Sequence, residues 1–255
     1  MTSSPVHDTT VLTGRTLRHV SRSPDTIVTT AVMPIAIMLL FVGVFGGAIR
    51  TGPRSGGYVD YMLPGIVLIT VAMGVSYTGY RLFTDLERGV VDRFHSLPVW
   101  RGAVLWAHVL TSLVSNLLSV VIVVLVAVAL GFRTGAGPAA WLAVAGLVGL
   151  FALALTWVAV LAGLSAHSIE GATAFSYPLI FLPFVSSAFV PTATMSAPVR
   201  WFAEHQPATP VVETIRRLWE EQPVGDHAWA AVAWCVAILA VACPLALHRH
   251  RSRIR

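Results

Sequence analysis

The sequence predicts an all-α, polytopic membrane protein with six transmembrane helices, and three observations support this fold class. Of the 255 residues, 56% are hydrophobic and only 11% are charged, whereas soluble domains carry about 25% charged residues. Apolar runs of about 20 residues are long enough to cross a bilayer, and six occur. Their interiors contain no Asp, Glu, Arg or Lys. The runs cover residues 26–49, 62–80, 103–130, 139–165, 172–190 and 228–247.

The first run is too long for the apolar core of a signal peptide, so we interpret it as a true span. Before it, residues 8–23 have arginines on one helical face and apolar side chains on the other. This pattern predicts an amphipathic helix in the plane of an anionic leaflet. The two sets are Arg15, Arg18 and Arg22, and Leu12, Leu17 and Val20.

Between the second and third runs lies a charged interval that is predicted to form a short amphipathic helix. Thr84 followed by Glu87 has the spacing of a capping box, so the helix should begin near Asp85. It should end before Pro98, because a residue that precedes proline is disfavoured in the α region. The apolar residues Phe83, Leu86, Val90, Phe94 and Leu97 form one stripe. The helix could lie passively on the inner leaflet or dock a cytoplasmic partner.

Arginine counts predict the orientation. With the N-terminus inside, eleven arginines lie on the cytoplasmic side and six on the outer side, as the positive-inside rule requires. Both termini are therefore expected inside the cell. The basic tail after the last run is explained as a membrane anchor rather than a nucleic-acid site.

The longest predicted outer segment, 191–227, is too polar to span a membrane. It contains Trp201 and Trp219, and tryptophan favours the headgroup level. We therefore predict one or two short helices that rest in the outer interface.

Any ATP chemistry must come from another polypeptide. All seventeen basic residues are arginine, and a P-loop needs a lysine on the nucleotide phosphates. The sequence also has no soluble segment large enough for a nucleotide-binding domain. No cofactor is expected on this chain.

A few residues within the runs are candidates for a pathway or a hinge. Pro34, Pro178 and Pro183 can kink or break a membrane helix. His108 and Asn116 are eight residues apart on the third run. They could line a pathway or make interhelical hydrogen bonds. Because charges are absent from the span interiors, coupling to an ion gradient is disfavoured.

Three segments, in this order, resemble one known family. They are YVDYMLPGIVLI (58–69), LERGVVDRFHSLPVWRGAVLWAHVL (86–110) and AFVPTATMSAPVRWFAEHQPATPVVETIRRL (188–218). The pattern resembles the permease subunits of ABC-2-type exporters, especially the small drug-resistance and antibiotic-export permeases of actinobacteria. It departs from that family where His205-Gln206-Pro207 replaces an Asn-Pro pair.

The resemblance implies a multi-pass protein of the plasma membrane of an actinobacterium, working as a dimer with a second, identical or paralogous permease. Two ATPase subunits that carry ATP and Mg²⁺ would bind beneath it. The resemblance also implies that the helix at 84–101 is a coupling helix that fits the ATPase. Its matching positions are Thr84, Glu87, Gly89, Arg93, Ser96, Leu97, Pro98 and Arg101.

The predicted function is export of a drug, antibiotic or other hydrophobic or amphipathic compound. Export of a lipid-linked glycan is the alternative within the transport class. Outside that class, an intramembrane enzyme and a non-transporting scaffold remain alternatives. The enzyme is disfavoured because Ser165, near His167, lies at the membrane edge, whereas a catalytic serine usually needs a base from a different helix together with oxyanion donors.

Overall fold

The structure is a computed structural model that describes residues 28–45, 57–89 and 103–253. These residues form helices and turns and contain no β-strand. The predicted in-plane helix at 8–23 lies outside the described residues. The α-helices are α1 (Met33–Phe45), α2 (Tyr58–Glu87), α3 (Ala103–Ala129), α4 (Pro138–Ser165), α5 (Ile169–Ala174), α6 (Ser176–Phe181), α7 (Ala197–His205), α8 (Ala208–Trp219) and α9 (Asp226–Arg253).

Within these residues, four helices are long and apolar enough to cross a membrane: α2, α3, α4 and α9. The first and fifth predicted spans correspond to shorter apolar segments, Thr30–Val44 and Ile169–Val185. The all-helical membrane class is therefore confirmed. The count of six spans and their orientation stay predictions.

The fifth predicted span, 172–190, is broken. α5 and α6 are separated at Phe175, and a 3₁₀ turn at Leu182–Val185 follows α6. Pro178 lies in the first turn of α6 and Pro183 in the 3₁₀ turn. Proline lacks an N–H and clashes with the preceding turn, so it is favoured at a helix start and disfavoured in a helix interior. The sequence prediction of a bent or broken helix is confirmed.

The predicted start of a separate helix near Asp85 is wrong. α2 runs without interruption through Thr84 to Glu87. The Thr84 hydroxyl donates to Tyr80 O at 3.0 Å, which is the bond of a threonine inside a helix rather than of a cap. The helix ends where Gly89 adopts a φ of +64°, a conformation that glycine accepts without strain.

The outer segment differs in part from the prediction. α7 is amphipathic and exposes Trp201 (64%), as an interfacial helix would. α8 instead packs into the core, with Val211, Val212 and Ile215 fully buried. Trp219, expected at the interface, is 4% exposed and packs edge-on against Phe132 at 5.2 Å between ring centroids.

α2 is the central helix of the fold. Most of its length is buried, and its side chains form much of the main hydrophobic core. Close packing against its neighbours depends on glycine. A Cβ at Gly79 would overlap Ala172 O at 2.6 Å, and a Cβ at Gly163 would overlap Gly79 O at 2.9 Å. Small residues at such crossings let membrane helices approach closely.

Candidate transport and coupling site

Ser112 of α3 is the centre of a buried hydrogen-bond network that joins three long helices. Thr78 of α2 donates to Ser112 Oγ at 2.7 Å, and Asn116 Nδ2 donates to the same oxygen at 3.2 Å. With both lone pairs occupied, the Ser112 proton is directed to Thr156 Oγ1 of α4, 3.2 Å away. Thr156 in turn donates to Ala152 O at 2.7 Å. The network therefore stabilises one arrangement of α2, α3 and α4.

The Asn116 amide has a defined orientation within this network. Its Nδ2 also donates to Ser112 O at 2.9 Å, and a backbone carbonyl can only accept, so the amide nitrogen faces it. Oδ1 points toward α2 and has no donor among the described residues. It lies against Gly74, where a Cβ would overlap the amide. Glycine at 74 thus makes room for Asn116.

Polar side chains of the π-helical turn Val28–Val32, of α2 and of α3 line a cleft, here called the polar cleft. Together with its open mouth it holds about 380 Å³. Thr30 Oγ1 and Ser119 Oγ, 3.2 Å apart, join the π-helical turn to α3. The Thr111 hydroxyl is buried and has no hydrogen-bond partner in the described part of the chain. The lining residues are Thr30, Gly74, Tyr77, Thr78, Arg81, His108, Thr111, Ser112, Ser115, Asn116 and Ser119.

Arg81 brings a full positive charge to this cleft. Its guanidinium carbon lies 5.9 Å from the centroid of the Tyr77 ring. The acid one turn further along α2, Asp85, is paired with His108. Within the described residues, Arg81 has no carboxylate in direct contact.

Asp85 and His108 join the ends of α2 and α3. His108 Nε2 lies 3.3 Å from Asp85 Oδ2, and the two side chains are 8% and 36% exposed. α2 ends two residues after Asp85, and α3 begins five residues before His108. The chain therefore leaves α2 and enters α3 at neighbouring points of the bundle.

The candidate coupling residues fall into two groups. Thr84 and exposed Glu87 belong to the last turns of α2, and Gly89 ends that helix. The other candidates lie outside the described residues, and their roles stay predictions: Arg93, Ser96, Leu97, Pro98 and Arg101.

The candidate hinge residues all lie at irregular backbone. Pro34 is the second residue of α1, and α1 begins directly after the π-helical turn Val28–Val32. Because proline removes one i→i−4 hydrogen bond, a local π distortion is a physical consequence of its position. Pro178 and Pro183 flank the breaks of the fifth segment.

Sequence reasoning missed the role of Arg216, which had been counted only for orientation. Its side chain is 2% exposed, pairs with Glu213 and donates through Nη2 to Tyr61 O at 3.0 Å and Ser187 O at 2.8 Å. The guanidinium also lies 4.0 Å from the Tyr61 ring centroid. The signal was present in the apolar stripe of α8, which places this arginine on a helix that must be buried. That stripe is Ala208, Val211, Val212, Ile215 and Trp219.

The described residues contain no group of three or more His, Cys, Asp or Glu side chains that could hold a metal ion. The polar side chains that line the cleft are instead hydroxyls, the Asn116 amide, the His108 imidazole and the Arg81 guanidinium. Such groups can bind and position an organic molecule.

The long apolar helices and the polar cleft define a multi-pass helical membrane protein. The chain matches the family described as ABC-2 type transporter over residues 7–218. It therefore belongs to the ABC-2 type transporter family.

Curated relatives cover nearly the whole chain. A daunorubicin resistance ABC transporter permease protein of Streptomyces coeruleorubidus is 27% identical over 237 residues, which are 90% of this chain and 81% of the relative. A probable doxorubicin resistance ABC transporter permease protein of Mycobacterium tuberculosis is 24% identical over 251 residues, covering 97% and 90%. The same protein in a second strain of that species gives the same values.

Proposed function

We propose that this chain is the membrane-spanning subunit of an ATP-driven exporter that moves a drug, antibiotic or similar amphipathic compound out of the cell. ATP would be hydrolysed, with Mg²⁺, on two copies of a separate ATPase subunit. A second permease copy, identical or paralogous, would complete the complex. The observation that carries the proposal is family membership over residues 7–218, extended by relatives named for daunorubicin and doxorubicin resistance.

In this proposal the segment that follows α2, together with the last turn of α2, contacts the ATPase. The proximity of the ends of α2 and α3 supports this assignment. Because Asp85 and His108 are in contact, a displacement of the connecting segment would act on both helices together. Both helices also line the polar cleft, so the same displacement would reach the buried hydroxyl network.

Co-purification tests the partner. The chain is expressed with the proteins encoded beside its gene, purified through a tag in mild detergent, and its bound partners are identified. We expect a Walker-type ATPase to be retained. Scrambling residues 90–97 changes the proposed docking segment and should therefore release the ATPase. The change leaves the sequences of α2 and α3 intact. Scrambling residues 221–225, which lie between α8 and α9, is the matched control.

Retention of the ATPase after the change at 90–97 would contradict the docking site, and its absence from the wild-type complex would contradict the exporter proposal.

Transport is tested separately in inside-out vesicles with daunorubicin as a fluorescent probe. ATP-dependent uptake that needs both proteins is expected. Uptake that persists without the ATPase would exclude an ATP-driven mechanism.

A further inference from the structure

We infer that the polar cleft binds the phosphate group of an anionic phospholipid, with Arg81 as the residue that contacts the phosphate. This inference concerns a lipid site within one permease copy and goes beyond the export of a compound. It rests on three observations: an arginine without a carboxylate contact, a buried hydroxyl without a partner, and an apolar flank beside the cleft.

The charge of Arg81 is the first observation. Its side chain is only partly exposed, and an ionised group within a membrane is costly unless it is paired. The acid one turn away, Asp85, contacts His108 at 3.3 Å rather than Arg81. No carboxylate lines the cleft. Asp85 attracts the Arg81 charge from a distance, but no carboxylate among the described residues contacts the guanidinium. A bound phosphate would supply that direct contact, and the guanidinium fork matches phosphate geometry.

The hydroxyls supply the second observation. Thr111 is 2% exposed, and its hydroxyl has no hydrogen-bond partner among the described residues, so its proton is available to an acceptor. Ser115 is partly exposed on the same lining. Phosphate and ester oxygens are acceptors, and serine and threonine hydroxyls donate. The cleft thus combines one cation with hydrogen-bond donors.

The position of the cleft indicates a lipid rather than a free anion. Arg81 directly follows the apolar run at 62–80, and a basic residue at the end of such a run is expected near the level of the lipid headgroups. Val114 and Leu118, which are 46% and 51% exposed, stand beside Ser115 on α3. They offer an apolar surface for an acyl chain. Basic pockets between membrane helices are known to bind anionic headgroups.

The test compares two lipids with the same acyl chains, dioleoyl-phosphatidylglycerol and dioleoyl-phosphatidylcholine. The delipidated protein is titrated with each in detergent, and binding is measured by native mass spectrometry. We expect phosphatidylglycerol to bind at least about tenfold more tightly, because the guanidinium repels the choline ammonium while charge-assisted hydrogen bonds hold the phosphate.

Arg81→Gln should abolish this preference. Arg88→Gln removes the same charge from the exposed end of α2 and should leave the preference intact. If Arg81→Gln does not fold, Thr111→Val keeps the charge and should weaken phosphatidylglycerol several-fold. Equal binding of both lipids, or equal losses in the Arg81 and Arg88 variants, would overturn the inference.

Inorganic phosphate in large excess distinguishes the two sources of phosphate. We expect it to displace phosphatidylglycerol poorly, because it brings no acyl chain. Efficient displacement would show that the cleft recognises a free phosphate, and the lipid assignment would then be wrong. None of these measurements depends on the ATPase or on drug transport, so they succeed or fail independently of the proposed exporter function.

Discussion

His108 Nε2 lies 3.3 Å from Asp85 Oδ2, and this contact connects the end of α2 to the beginning of α3. The carboxylate comes from the charged interval that follows the second apolar run, and the imidazole comes from the apolar run after it. Their contact holds the two helices together at the point where the proposed coupling segment leaves α2 and enters α3.

A double-mutant cycle tests this contact. Asp85→Asn and His108→Gln should each lower the melting temperature. The loss of stability in the double variant should be smaller than the sum of the losses in the two single variants. We expect a coupling free energy of no more than about 1 kcal/mol, because Asp85 is 36% exposed and solvent screens such pairs. Glu87→Gln, two residues further along α2, is the control. Additive losses would show that the two side chains do not interact.

Glu87→Arg and Pro98→Gly test the coupling segment. Both variants should insert and bind substrate normally, while ATP hydrolysis by the complex no longer drives transport. The reason is that Glu87 is exposed at the end of α2 and can pair with a partner surface, where a reversed charge repels. The ratio of drug transported to ATP hydrolysed is measured in proteoliposomes. Glu204→Arg, at an exposed site on α7, is the control and should keep that ratio. An unchanged ratio in all variants would contradict the assignment of the coupling segment.

Gly79→Ala should destabilise the protein by about 1–3 kcal/mol, because overpacking forces the backbone to shift. The added Cβ would overlap Ala172 O at 2.6 Å and Phe175 Cε1 at 2.9 Å. Gly146→Ala on α4 is the matched control, since nothing lies within 4 Å of its added Cβ. That variant should be neutral or stabilise by up to about 1 kcal/mol. Thermal unfolding in detergent measures both, and equal stability of the two variants would contradict the close crossing.

Arg216→Gln should cost about 3–5 kcal/mol, because it leaves the largely buried Glu213 without its charge partner. The neighbouring residue provides the comparison. Arg217 is more exposed and donates to Pro223 O at 3.2 Å, so Arg217→Gln should change stability by less than about 1 kcal/mol. Similar losses of stability in both variants would show that the burial of Arg216 contributes nothing to the free energy of unfolding.

The orientation can be tested by cysteine labelling. Cys235 and Cys243 are first replaced by alanine, and single cysteines are then placed at Arg88 and His205, both exposed. An impermeant maleimide should label residue 205 in intact cells and residue 88 only in inside-out vesicles. Labelling of both from one side would contradict the predicted topology.

Some site features could be predicted and others could not. His108 and Asn116 stand out in the sequence because they are polar residues in an apolar run. Their partners cannot be recognised in the same way, since Asp85 and Gly74 lie on another helix. The predicted helix start near Asp85 is wrong for a similar reason. The spacing of Thr84 and Glu87 fits a cap, but the threonine bonds to Tyr80 O within a continuous helix, and local spacing does not distinguish these cases.

The sequence by itself determined the membrane class, the positions of the apolar segments and the break near Pro178 and Pro183. These depend on the transfer of each residue into lipid and on the geometry of proline, which act locally along the chain. Only the tertiary structure decided that Arg216 is buried, that Ser112 joins three helices and that Arg81 faces a cleft. Hydrogen bonds and ion pairs act over a few ångströms between side chains far apart in sequence, so helix packing determines which of them form.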